Sequence, residues 1–167
     1  MGWDKGVDYV FAYNLITRLI ERSRGKTRCY LAIALIQLRN GARISEAVRG
    51  FKQWLMSGNQ ELHVLVSKKK RPETRLLIIP KELDPIRLEC LDMSGVSDQK
   101  LKKGVQNALY RLAKLNTHSL RYAYITYLLR AGVNPALVSK LIRHSKLDTL
   151  LHYVQDKASE NVLREYY

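Results

Sequence analysis

Apolar residues first recur along this chain at helical spacing. Across 7–23 (VDYVFAYNLITRLIERS), Val7, Val10, Phe11, Leu15, Leu19 and Ile20 follow the three-and-four rhythm of one helix face, and a basic SRGK turn ends the run. Segment 27–39 (TRCYLAIALIQLR) is apolar nearly all round. That pattern predicts a central helix packed on several sides, stopped by Asn40-Gly41. A third helix is predicted from near Ala42 to about Ser57-Gly58, with Ile44, Val48, Phe51 and Leu55 on its core side and Arg43 and Glu46 three residues apart as neighbours on another face.

The rhythm then changes. ELHVLVS and TRLLIIP are apolar and rich in residues that favour strands, and they flank the charged KKKRPE, so the stretch reads as a β-hairpin with a basic tip. From Pro80 the helical pattern returns over roughly 80–92, 98–115 and 118–130, the last with Leu120, Ala123, Tyr124, Tyr127 and Leu128 as its apolar stripe and Gly132 as a C-terminal cap. Asn134-Pro135 supplies the N-cap and first turn of a short helix with Leu137, Val138, Leu141 and Ile142 on its buried side. Ser145 with Asp148 resembles a capping box that opens a further helix, and 157–167 is a last helical candidate. There is no repeat, linker or low-complexity tract. The expected fold is mainly α with a small antiparallel β-sheet, an α+β arrangement in one domain over 1–167.

Charge narrows the class of partner. The chain carries 29 Lys and Arg against 15 Asp and Glu, a formal +14 in 167 residues, and such a surface favours a polyanion. Charge alone does not separate DNA from RNA, a ribosomal surface or an anionic membrane. No apolar run approaches the roughly twenty residues of a membrane span, and Met1 to Lys5 lacks a signal-peptide pattern, so a soluble protein of the cell interior (cytoplasmic) is expected. Cys29 and Cys90 stand far apart with no CxxC pairing and are read as two reduced thiols in or near the core; neither a metal site nor a disulfide is expected.

Four signals occur in order: ARISE at 42–46, KKKR at 68–71, HSLR at 118–121, and RHS at 143–145 with Tyr153 nine residues after His144. GARISEAVRGF resembles the first arginine motif of the tyrosine recombinases (phage-type integrases), and HSLRYAYITYLLRAGVNPALVSKLIRHSKLDTLLHYV is similar to that family's second box almost throughout. The resemblance covers about residues 27–160 and implies the family's catalytic-domain fold, without the N-terminal helical DNA-clamping domain of full-length members. It implies Arg43 and Arg121 as phosphate-binding arginines, His118 and His144 as flanking imidazoles, Glu46 as the acidic group beside Arg43, and Tyr153 as nucleophile. It also implies a lysine at the hairpin tip as proton donor to the leaving 5′ oxygen. Counting back from Arg75 favours Lys70, with Lys68 and Lys69 close behind. Two positions depart from the pattern: Tyr122 follows Arg121 where a histidine is common, and Arg143 precedes His144 where glycine is common.

The residue types suit that chemistry on physical grounds. A phosphodiester gains negative charge on its non-bridging oxygens as it becomes pentacoordinate, and guanidinium forks match that geometry. His118 and Arg121, at i and i+3, share one helix face. A phenol with a reference pKa of about 10 needs nearby cations and a base to attack at neutral pH. The expected activity is site-specific strand cleavage and rejoining through a 3′-phosphotyrosyl link, on double-stranded DNA, with no metal or cofactor. The resemblance further implies a homotetramer on DNA, against a monomer when free. The alternatives are a type IB topoisomerase-like nicking-closing enzyme and a non-catalytic DNA-binding module of the same fold. His63 and His152 fall on no motif position and are read as structural, as are Tyr110, Tyr122, Tyr124 and Tyr127.

Overall fold

The computed structural model describes residues 7–66, 70–143 and 163–165. Helix α1 spans Tyr9–Arg22, α2 Gly25–Asn40 and α3 Ile44–Ser57; strands β1 (Glu61–Leu65) and β2 (Thr74–Ile78) follow, then α4 (Asp98–Ala113), α5 (Thr117–Arg130) and α6 (Pro135–Ile142). The architecture is mainly helical with a two-stranded antiparallel sheet, as the pattern of apolar positions predicts. Residues 163–165 are helical; the proposed Ser145–Asp148 capping box and the rest of the 157–167 candidate, except those three residues, lie outside the described residues.

Helix α2 is the axis of the core. Every residue from Leu31 to Leu38 is buried, and the helix packs against α1, α3, α4 and α5. A helix surrounded on all sides has no solvent face to write into its sequence, which is why its apolar residues show no stripe. Gly41 ends it with a left-handed backbone (φ 57°). Asn40 ties that end to the sheet. Its amide donates to the Ile36 and Ile78 carbonyls and its Oδ1 accepts from the Ile78 N–H, each at 2.8 Å, so one side chain pairs with both backbone groups of a β2 residue. In the hairpin Glu61 pairs with Ile78 and Leu65 with Thr74, and Leu62, Val64, Arg75 and Leu77 point inward.

Several expectations are corrected. Cys29 and Cys90 form a disulfide between α2 and the segment before α4, with Cα atoms 5.8 Å apart, within the range a disulfide requires. The two residues are far apart in sequence but meet in the core, a proximity that spacing does not reveal. The predicted helix over 80–92 is a pair of 3₁₀ helices, Lys81–Ile86 and Leu88–Gly95, with Pro85 inside the first; a proline in that place lacks the N–H that a continuous α-helix would need. In α1, Val10 and Phe11 are exposed, and the buried stripe is Ala12, Ile16 and Ile20. In α6, Leu137 and Leu141 are exposed while Val138 and Ile142 join Tyr124 and Ile125 of α5 in a small second apolar cluster. Tyr127 is also exposed, stacked on Tyr9 with ring centroids 4.5 Å apart. Among the described residues, no helix is long and apolar enough to cross a membrane.

Candidate active site

Arg43 is the N-cap residue of α3, not a residue within it, and Glu46 stands at the third helical position. Glu46 reaches back to the cap, accepting from the Arg43 guanidinium at 3.0 Å and, at a long 3.5 Å, from the Arg43 backbone N–H. Glu46 has no exposed surface. Oε1, the oxygen that faces the Arg43 N–H, also accepts from Arg75 of β2 at 3.4 Å. One buried carboxylate thus serves two guanidinium groups, and it orients Arg43 from within the fold.

Arg121, on α5, is buried against the ends of α2 and α6. It donates to the Gly41 carbonyl at 2.9 Å and the Ile142 carbonyl at 3.3 Å. Arg43 donates to the very next carbonyl, that of Arg143, at 3.3 Å. Two arginines that are 78 positions apart in the chain therefore converge on consecutive peptide oxygens at the end of α6, immediately before His144. Arg75 completes the group, giving a 2.6 Å hydrogen bond to the Asn40 carbonyl. The C-terminal ends of α2 and α6 supply these acceptors, and the partial negative charge at such ends favours cations.

The electrostatics follow from that arrangement. Burial, reinforced by repulsion from Arg43, pushes the Arg121 pKa down to about 10, which still leaves the guanidinium charged at neutral pH. Burial lowers Arg75 too, with Glu46 opposing. Glu46 pairs with Arg43 and Arg75 and acts on Arg121 only through space, so these four groups together carry an excess of two positive charges. Only Arg43 reaches the surface appreciably: its side chain is 21% exposed, against 2% for Arg75. Of the three arginines, Arg43 is the one an anion in solvent can reach.

The remaining predicted residues are placed as follows. His118 is exposed in the first turn of α5, one turn before the buried Arg121. Lys70 is exposed at the hairpin tip. Lys68, Lys69, His144 and Tyr153 lie outside the described residues. Tyr122, next to Arg121, is half-buried; burial raises its pKa while Arg121 and Arg43 pull it down, so this phenol senses both arginines. Sequence reasoning used Arg75 only as a counting marker and missed its place in the cluster. The signal was present: in TRLLIIP, residues 75, 77 and 79 share the inward face of a strand, and an arginine there must be partnered.

These features define a mainly helical protein with a cationic, carbonyl-lined cluster of which Arg43 is the partly exposed member. No family model matches the chain. It is similar to "Putative integrase ORF241" of Acidianus two-tailed virus, 35% identical over 169 residues that cover 98% of this chain and 68% of the relative. It is also similar to "Uncharacterized protein MJ0770" of Methanocaldococcus jannaschii (32% over 195 residues; 97% and 87% covered) and to "Putative integrase V10" of Sputnik virophage (28% over 200 residues; 96% and 88% covered). The chain belongs to this integrase-like family.

Proposed function

We propose that the chain is the catalytic domain of a tyrosine recombinase, a metal-independent DNA strand transferase. The observation that carries this reading is the convergence of Arg43 and Arg121 on the Ile142 and Arg143 carbonyls. It sets both arginines at the start of the segment that holds His144 and Tyr153. In the proposed reaction the arginines hold the non-bridging oxygens of a scissile phosphate, whose growing charge they stabilise. The Tyr153 hydroxyl attacks phosphorus and its proton passes to His118 or His144; the bond to the 5′ oxygen breaks and Lys70 protonates that oxygen. The 3′-phosphotyrosyl link keeps the bond energy, so the 5′ hydroxyl of another strand reverses the attack. The net positive charge suits double-stranded DNA as partner, and exchange between two duplexes implies a tetramer assembled on them.

A duplex nicked beside the cleavage site traps the intermediate, because the short 5′ fragment diffuses away. The wild type is expected to form a covalent protein–DNA adduct that Tyr153→Phe abolishes. Tyr122→Phe is expected to keep it, since burial holds that phenol neutral beside the arginines. An adduct that survives Tyr153→Phe would refute the assignment.

A further inference from the structure

Arg143 is the position at which this chain departs from the family pattern beside its proposed catalytic histidine, and the reaction above gives its side chain no task. Its backbone is left-handed (φ 55°) at the end of α6. Glycine adopts that conformation freely, whereas a residue with a side chain is disfavoured by about 1–2 kcal/mol. An arginine at this position carries that cost, so its side chain is the place to look for a compensating role.

That side chain runs to the hairpin. Its Nη2 donates to the Thr74 carbonyl at 3.4 Å, and its Nε lies 3.2 Å from the Glu73 carboxylate. The Nε contact is an ion pair by distance only, because the N–H is not aimed at the oxygen and makes no hydrogen bond. Glu73 is where the hairpin closes: its carbonyl accepts from the Val66 N–H at 2.8 Å, and Thr74 pairs with Leu65 in the last rung of the ladder. Lys70 sits three residues before Glu73, in the tip that this rung supports. At its other end Arg143 offers its own carbonyl to Arg43. One residue thus joins the stem of the lysine-bearing hairpin to the arginine cluster.

We propose that Arg143 is a positioning residue that docks the hairpin tip so that Lys70 reaches the leaving 5′ oxygen. The inference rests on the recombinase reading above. Its effect is specific to one step: loss of the side chain frees the hairpin stem and slows protonation of the leaving group, while Arg43 and Arg121 keep their grip on the phosphate. The glycine variant is well suited to testing this, because glycine fits φ 55° without strain and the fold is expected to survive.

The test compares two nicked duplexes, one with the natural oxygen at the scissile 5′ bridge and one with sulfur there. A thiolate leaves without being protonated, so the sulfur substrate bypasses the lysine. For Arg143→Gly, cleavage of the oxygen substrate is expected to fall about 10- to 100-fold, part of what a positioned general acid contributes. The sulfur-to-oxygen rate ratio should rise by a similar factor over wild type, and Arg143→Lys and Glu73→Gln should lie between the two. Equal slowing on both substrates, or no slowing, would overturn the docking role and leave the recombinase reading standing. A wild type that forms no adduct with either substrate overturns both.

Discussion

Melting the oxidised and reduced proteins side by side isolates what the Cys29–Cys90 bond contributes. Both sulfurs are buried, Cys29 on α2 and Cys90 in the second 3₁₀ helix, and the bond closes a loop with a sequence separation of 61. Closing a loop of that length in the unfolded chain removes entropy equivalent to about 4 kcal/mol at room temperature. For a domain of this size each kcal/mol moves the melting temperature by about 2–4 °C, so reduction should lower it by about 8–16 °C. Reduction is a cleaner perturbation than substitution, because the two thiols still fill the same space in the core. The assay is calorimetry on protein purified with and without reductant, with free thiols counted in denaturant for each sample. Agreement of the two melting temperatures within about 2 °C, with thiol counts confirming the two states, would refute the loop-closure reasoning. Two free thiols in protein purified without reductant would refute the bond itself.

Two further substitutions probe the framework of the cluster. Glu46→Gln keeps the shape of the side chain but removes the buried charge between Arg43 and Arg75, and should cost about 3 kcal/mol in urea unfolding, as breaking a buried ion pair does; a loss under about 1 kcal/mol would mean the carboxylate is not the counter-charge it is taken to be. Gly41→Ala places a side chain on a left-handed backbone and would bring its Cβ within 2.5 Å of the Tyr124 ring, so a loss of about 2–3 kcal/mol is expected; a neutral result would show that the α2 terminus yields easily.

Much of the fold was readable because local pattern and tertiary role agree. The strand alternation at 61–65 and 74–78, the Asn40-Gly41 stop and the Asn134-Pro135 start each have one physical solution, and the structure adopts it. The misreadings come where several solutions compete. In α1 the large residues Val10 and Phe11 also fit a helix-face spacing, but the buried face is Ala12, Ile16 and Ile20, where a small residue permits close approach to α2. In α6 an eight-residue helix packs chiefly on α5, so only the narrow stripe of Val138 and Ile142 is covered. Of the candidate cluster, Arg43, Glu46 and Arg121 were legible as members of an ordered set of motifs. The acceptors that hold the arginines were not, because peptide carbonyls carry no sequence signature; only the fold shows which helix ends meet.

Those carbonyls explain how a buried cluster keeps its charge available. Desolvating a guanidinium is costly unless its N–H groups are satisfied, and the most direct remedy is a carboxylate for each. Three carboxylates would satisfy the donors but cancel the cluster's positive field. The structure instead spends one carboxylate, Glu46, and otherwise uses neutral oxygens: Asn40 for Arg75, Gly41 and Ile142 for Arg121, Arg143 for Arg43. Each peptide dipole stabilises the cation without neutralising it. This also accounts for the architecture around the site, since the C-terminus of a helix is where carbonyls stand unpaired. Asn40, by bonding β2 on one side and ending α2 on the other, fixes one such terminus, and the α6 end, at Ile142 and Arg143, supplies the second. A cationic cluster of this kind therefore depends on helix termination as much as on its arginines, and the residues that end α2 and α6 belong to it through their backbone carbonyls.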